Sequence, residues 1–326
     1  MGWRGHAEWW GWDHSDIYFP AFLFAAGAGL AHQTRDKPMP WNRLGRRALT
    51  LVVLGLLVNA WLAFGPDLAL LRFPGVLQRI GLVGLVGAVV VVASRRRWLV
   101  TALVAVALAV GWSLLLWAGG DDCPGGRPTP EGCGTFVEVD RAAFGEAHLY
   151  RQGQIGYDPE GLPSSLGALA TFLSGYAAVR LTVRQDGLRR RALALVAMAG
   201  GWAALLVPLL ALQPLNKRLW TGSFVAANAA AHLVLLAVLV LALDRARGRI
   251  TDVVLWPVEA LARNALVIWI GLFTVARTAE VTRHGERSVA QAFLEAHGSV
   301  AYLAVFGGLW LLVACAMHAA RWYVRL

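Results

Sequence analysis

Apolar stretches of about twenty residues recur along the chain, and they restrict its possible folds more than any other feature. A helix of about 20 residues crosses a hydrocarbon layer of roughly 30 Å and satisfies its own backbone hydrogen bonds there. Hydrophobic residues make up 57% of the 326 positions and charged residues 15%, whereas a soluble domain carries about a quarter charged residues. The sequence therefore predicts an all-α, polytopic transmembrane helix bundle.

Nine spans account for these stretches, and a long external loop over 119–161 separates the fourth span from the fifth. The chain shows no boundary at which a second domain begins, so we predict a single transmembrane domain over 1–326. Its spans cover residues 17–33, 45–63, 74–94, 98–118, 162–181, 190–212, 219–243, 253–275 and 299–320.

Charge alternates between successive loops and sets the predicted orientation. Arginine-rich loops, such as 95–97 and 184–191, alternate with mixed or acidic loops, such as 119–161. Because basic loops stay in the cytoplasm, we predict a cytoplasmic carboxyl terminus and an external segment 1–16. The basic cytoplasmic loops then account for the net charge of +10, and no nucleic-acid partner is predicted. With only two lysines, the composition points to a bacterial genome, and hence to the cytoplasmic membrane of a bacterium.

Two of the three cysteines lie close together in the predicted external loop. Cys123 and Cys133 are ten residues apart in a segment rich in glycine and proline. On an oxidising face this spacing favours a disulfide, with free thiols as the alternative. A metal site would need further ligands at fixed spacing, and because none stands nearby we predict no metal.

Several polar residues fall inside the predicted spans, where burial in lipid is costly. Arg79 lies about one turn from the external surface, and Arg263 and Asn264 lie near the middle of the eighth span. Asn228 and His232 lie at mid-depth in the seventh span. For these two residues the alternative to a polar cavity is a hydrogen bond between helices. Taken together, these residues predict a polar cavity within the membrane.

Charged and amide side chains also stand at the external mouths of two spans. Asp158 and Glu160 immediately precede the fifth span, and Asn216 and Lys217 precede the seventh. Such pairs are either solvated helix boundaries or groups that meet a polar ligand.

The opening segment combines histidines, acidic residues and tryptophans directly before the first span. His6, His14 and Asp16 lie among four tryptophans, and Phe19-Pro20 follows. Tryptophan is common at membrane interfaces, so the cluster is an interfacial anchor, a proton relay or part of an active site.

The order of these motifs resembles the heparan-α-glucosaminide N-acetyltransferase family, a branch of the transmembrane acyltransferases. The resemblance runs along nearly the whole chain and does not depend on any single motif. It is carried by "HAEWWGWDHSDIYFPAFLFAAGAG", "RFPGVLQRIG", the "CPGG" loop, "YDPEG", "PLNKRLWT" and "ARNALVIW".

The resemblance implies acetyl transfer from cytoplasmic acetyl-CoA to an external amino sugar or glycan. The family's catalytic histidine matches His6, and its aspartate matches Asp16; His14 has no counterpart. We expect His6 to act as general base or acyl carrier, with Asp16 orienting its ring. Arg79, Arg263 and Asn264 are the predicted residues for the acetyl-CoA donor. Asp158, Glu160, Asn216 and Lys217 are those for the acceptor.

The family core begins one helix earlier than this sequence, and residues 1–16 show no signal peptide that would carry them outside. We therefore expect one further helix upstream. A transporter or flippase is the alternative function, since it too would have a polar core. It should contain two related halves, and the nine predicted spans show no convincing internal repeat.

Overall fold

The computed structural model describes residues 9–62, 68–120, 123–129, 132–150, 157–245, 249–284 and 287–324. These residues form two compact units. The first comprises residues 1–59 and 67–244, and the second comprises 60–66 and 245–326.

Eleven α-helices, four short 3-10 turns and one small hairpin make up the regular structure of the described residues. In the first unit the helices are α1 (Tyr18–Gln33), α2 (Trp41–Leu62), α3 (Val76–Ala93), α4 (Trp98–Ala118), α5 (Thr135–Phe144), α6 (Ser165–Thr182), α7 (Leu188–Leu212) and α8 (Gly222–Arg245). The last residues of α2 and α8 fall in the second unit. The second holds α9 (Arg249–Arg263), α10 (Ala265–Val281), β1 (Arg283–His284), β2 (Arg287–Ser288) and α11 (Val289–Ala319). The strands β1 and β2 pair antiparallel, with Arg283 opposite Ser288.

The predicted all-α polytopic bundle is confirmed. Among the described residues, six helices are long and apolar enough to cross a membrane, and the bent pair α9–α10 makes a seventh. The remaining two of the nine predicted spans coincide with α1 and α6, which fall outside that count. α1 has only 16 residues, and α6 mixes serine, threonine, glycine and arginine with its apolar residues. Length and composition therefore give six or seven spans rather than nine.

Helix α6 forms the centre of the first unit. Thirteen of its 18 residues are buried, and it packs against α1, α3, α4 and α7. Glycines allow the closest of these contacts: a side chain at Gly27 of α1 would collide with the carbonyl of Phe172, and one at Gly175 of α6 with that of Phe24. The two helices thus meet backbone to backbone.

In the second unit the predicted span 253–275 is broken rather than continuous. α9 ends at Arg263, α10 begins at Ala265, and their axes differ by 68°. Within α11, Gly298 has φ 79°, a left-handed conformation that interrupts the helix just before the predicted span 299–320.

The described residues of the predicted external loop pack around α5. A disulfide joins Cys123 and Cys133, whose Cα atoms lie 5.7 Å apart. Phe136 and Val137 of α5 are buried in an aromatic cluster with Trp112 and Tyr157. This packing fixes the loop against the ends of the long helices.

Candidate functional site

Residues 9–17 of the opening segment pack onto the loop between α7 and α8. The backbone N–H of Gly11 donates to the carbonyl of Leu215 at 2.8 Å. The ring of Trp9 meets that of Tyr157 edge to face, with centroids 6.0 Å apart. A short 3-10 turn over His14–Ile17 then leads into α1, and Asp13 caps it. Residues 9–17 are therefore part of the folded unit.

Asp16 lies at the centre of this contact and is fully buried. Its Oδ2 accepts a hydrogen bond from the backbone N–H of Asp13 at 2.9 Å, and its Oδ1 lies 3.4 Å from Nζ of Lys217. Burial lowers the pKa of Lys217, and the charge of Asp16 opposes that shift. The predicted catalytic aspartate thus has a cationic partner from the α7–α8 loop.

Arg72 holds both acidic residues of the "YDPEG" motif. Its Nε and Nη2 donate to the two carboxylate oxygens of Asp158 at 2.8 and 2.6 Å, and Nη2 also pairs with Glu160. Burial raises the pKa of Glu160, but the positive charges of Arg72 and Arg79 outweigh it, so the net pKa is lowered. Asp158 and Glu160 therefore already have a cationic partner within the protein.

Arg79 reaches the same loop from the first turns of α3. Its Nη2 donates to the carbonyl oxygens of Pro159 and Gly161 at 2.7 and 3.2 Å and to the hydroxyl of Ser164. Its guanidinium carbon lies 5.1 Å from the ring centroid of Trp220. Its Nε and Nη1 are buried and have no hydrogen-bond partner among the described residues. Arg79 thus anchors this loop and retains two unused donors.

Asp140 of α5 also binds the loop over residues 157–164. Its Oδ1 accepts from the backbone N–H of Leu162 at 2.8 Å, and its carboxylate lies where a side chain at Gly161 would stand. Burial raises the pKa of Asp140 to about 7, although the hydrogen bond from Leu162 opposes the shift.

This raised pKa predicts a pH dependence of stability. Because the folded protein binds a proton at Asp140 more tightly than the unfolded chain, the contribution of Asp140 falls as pH rises from about 4 to 7. Asp140→Asn, which keeps an oxygen for Leu162, is expected to flatten this slope and to stabilise the protein above pH 7. Thermal unfolding midpoints of both proteins across this pH range measure the effect. An unchanged dependence of the midpoint on pH in Asp140→Asn would contradict the prediction. Glu138→Gln, at an exposed position on the same helix, is the control.

Asn216 is also fully buried, and it closes the α7–α8 loop on itself. Its Oδ1 accepts from the backbone N–H of Leu219 at 2.9 Å, whereas its Nδ2 has no partner among the described residues. In the same loop Trp220 has φ 51°, which is rare for any residue other than glycine. Its indole N–H donates to Thr171 of α6 at 3.2 Å.

The other predicted residues lie in different places. His6 lies outside the described residues. His232 contacts the carbonyl of Ile17 at 3.3 Å, which is a contact between elements of the kind considered as the alternative to a cavity. Asn228 instead donates to the carbonyl of Phe224, four residues earlier on the same helix. Arg263 is exposed and pairs with Glu259, four residues earlier on α9. Asn264 is buried and donates to the carbonyl of Ala260 at 3.0 Å. Both belong to the second unit.

In the parts of the chain that the structure describes, no three His, Cys, Asp or Glu side chains gather as metal ligands would. The charged groups instead form two assemblies, Asp16 with Lys217 and the Arg72–Arg79–Asp140 set around residues 157–164. Together they offer a buried carboxylate, a cation and unused donors at one end of the helices, which suits recognition and proton transfer at a polar ligand.

Comparison with known proteins points to one family. The model of the catalytic region of heparan-alpha-glucosaminide N-acetyltransferase matches residues 3–120. The chain is similar to the heparan-alpha-glucosaminide N-acetyltransferases. It is 24% identical to the human protein of that name over 82% of this chain and 48% of the relative, and 24% identical to the mouse protein over 68% and 42%. The chain thus spans about half the length of the curated relatives it matches, and the resemblance drawn from the motifs is confirmed.

The region that matches the heparan-alpha-glucosaminide N-acetyltransferase catalytic model contains several of the residues described above. Residues 3–120 include Asp16, Arg72 and Arg79, together with His6. Asp158, Glu160 and Lys217, which pair with them, lie beyond that region. The two charged assemblies therefore join the matched part of the chain to the part that follows it.

Two residues of these assemblies, and Trp220 beside Arg79, were not predicted from the sequence. Arg72 lies on the predicted external side, where the positive-inside rule does not explain an arginine. Its position there could have indicated a role within the protein. Asp140 shares a helical face with Phe136 and Val137, so its burial could have been predicted. The left-handed conformation of Trp220 leaves no signal in the sequence.

Proposed function

We propose that the chain is a membrane-embedded acyltransferase that moves an acetyl group from acetyl-CoA to an amino sugar or glycan. The match of the family's catalytic region to residues 3–120 carries the proposal. The burial of Asp16 and its pairing with Lys217 support it. The acceptor lies on the non-cytoplasmic side and acetyl-CoA enters from the cytoplasm, as the family resemblance implies. The charge of the loops predicts only the orientation of the chain.

The reaction requires a proton to leave the amine as it attacks. The amine nitrogen bonds to the thioester carbonyl carbon, the carbon–sulfur bond breaks, and the thiolate takes up a proton. His6 serves as the base that accepts the amine proton, or as the nucleophile that carries the acetyl group first. Asp16 stabilises the imidazolium that forms, and Lys217 keeps the buried carboxylate ionised.

The binding residues divide between the two substrates. Arg79 serves the donor, and its unused hydrogen-bond donors support this role. For Arg263 and Asn264, which belong to the second unit, the assignment to the donor stays a prediction from the sequence. Asp158, Glu160, Asn216 and Lys217 serve the acceptor. Lys217 and Glu160 retain 22% and 15% side-chain exposure, whereas Asp158 has none. Lys217 and Glu160 can therefore meet a sugar without rearrangement of the loop.

The experiment that tests the function is acetyl transfer in membranes that contain the chain. Labelled acetyl-CoA and glucosamine are expected to give labelled N-acetylglucosamine, and membranes with the His6→Ala variant should give background levels only. Uptake of glucosamine without acetylation would favour the transporter instead. The same protein amount in both membranes, checked by immunoblot, keeps the comparison valid.

Asp16→Asn is expected to lower turnover by about 10- to 1000-fold, a smaller loss than that of His6→Ala. The amide preserves the shape of the side chain but removes the charge that stabilises an imidazolium. The apparent affinity for acetyl-CoA should change little, because a group that acts on the barrier affects turnover. Asp13→Asn, in the same turn but partly exposed, is the control. Unchanged turnover of Asp16→Asn would remove this carboxylate from the mechanism.

A further inference from the structure

A cavity of about 990 Å³ lies at the corner between α1 and α2, away from the two charged assemblies. Its lining runs from His32 to Arg43. Its volume is that of a site for a cofactor-sized molecule. Among these lining residues Arg35, Lys37 and Arg43 are cationic, and Asp36, which lies 3.6 Å from Arg35, is the one acidic residue. The cavity therefore carries a net positive charge even when His32 is neutral.

Two arginines from other elements hold this corner. Nη1 of Arg96, from the α3–α4 loop, donates to the carbonyl of Lys37 at 2.8 Å. Nη1 of Arg180, at the end of α6, donates to the carbonyl of Arg35 at 3.3 Å. Three cationic side chains thus line the cavity, and two further arginines bind the backbone of the same corner, which concentrates positive potential there.

The rim of the cavity adds a flat apolar surface. Trp41 is 43% exposed and follows Pro38, Met39 and Pro40, which also line the cavity. Lys37 and Arg43 are exposed and have no ion-pair partner among the described residues, so their donors are available to a ligand. Guanidinium and ammonium groups of this kind bind phosphate oxygens through charge-assisted hydrogen bonds.

We propose that this corner is a binding site for a phosphate-bearing ligand, held by Lys37 and Arg43 and packed against Trp41. The phosphate comes either from a soluble polyphosphate or from the headgroup of an anionic phospholipid. The proposal rests on the cavity and its charges, so it stands whether or not the chain transfers acetyl groups.

Calorimetric titration of inorganic pyrophosphate into the purified chain tests the site, with the protein in nanodiscs of phosphatidylcholine. The double variant Lys37→Gln/Arg43→Gln is expected to weaken pyrophosphate binding at least about tenfold, because two charged hydrogen-bond donors are lost. The control Arg189→Gln/Arg190→Gln removes the same charge from exposed positions at the start of α7, and it should stay within about threefold of the unchanged chain.

A second arm identifies the source of the phosphate. If a lipid headgroup fills the site, nanodiscs with equal parts phosphatidylglycerol and phosphatidylcholine should raise the unfolding temperature of the unchanged chain but not of Lys37→Gln/Arg43→Gln, and they should suppress pyrophosphate binding. If the ligand is soluble, pyrophosphate should bind equally in both lipids. The proposal is overturned if the two double variants behave alike in both arms, or if the unchanged chain responds to neither probe.

Discussion

Replacing His6 with alanine is expected to abolish acetyl transfer, lowering turnover by about a thousandfold or more. A general base or acyl carrier acts on the barrier of the reaction, so the affinity for acetyl-CoA should stay nearly unchanged. The measurement is turnover of labelled acetyl-CoA with a glucosamine acceptor, in a preparation in which the unchanged chain is active, alongside a direct acetyl-CoA binding assay.

Two other histidines give matched controls for this prediction. His14 is exposed in the opening segment. His232 is a buried residue of α8 that contacts Ile17, just before α1. The variants His14→Ala and His232→Ala should each retain substantial turnover. If His232→Ala is inactive while His6→Ala retains activity, the catalytic group has been assigned to the wrong residue.

Arg72→Gln is expected to destabilise the protein by about 3–5 kcal/mol, because it leaves the fully buried carboxylate of Asp158 without its ion-pair partner and removes the partner of the partly exposed Glu160. The midpoint of thermal unfolding in detergent should then fall by on the order of 10 °C. Adding Asp158→Asn and Glu160→Gln to Arg72→Gln should recover part of the loss, because the uncompensated charges are removed.

Arg141→Gln is the control for this prediction. Arg141 pairs with Glu138 at 2.9 Å on the exposed side of α5, and such pairs contribute less than about 1 kcal/mol. If Arg72→Gln lowers the midpoint no more than Arg141→Gln does, the buried charge cluster does not hold the loop over residues 157–164.

The sequence was sufficient to predict the helices because burial in lipid imposes a composition that a soluble helix does not need. It failed where local geometry, rather than composition, decides. The break at Asn264 falls in an apolar run with no proline or glycine at that position, so 253–275 reads as one span. The helix α1 reads as a full span although it has only 16 residues.

The site was predictable in its residue types and much less so in its pairings. Asp16 and Lys217 were both singled out, but 201 positions separate them, and only the fold shows that they form a pair. Asp158 and Glu160 were predicted to face a ligand. Their ion-pair partner Arg72 stands 86 positions before Asp158, so local spacing does not reveal the pair. Long-range ion pairs depend on tertiary packing and leave little trace in local spacing.

The burial of α6 has a consequence for how the protein is made. A helix that turns nearly all its residues toward other helices offers little apolar surface to lipid, and Arg180 and its small polar residues make its solitary transfer into the bilayer unfavourable. The segments α1, α3 and α4, against which it packs, precede it in the chain and are synthesised first. We expect α6 to enter the membrane against these earlier helices, so that Gly27→Leu, which blocks its contact with α1, would trap newly made chains at the insertion machinery.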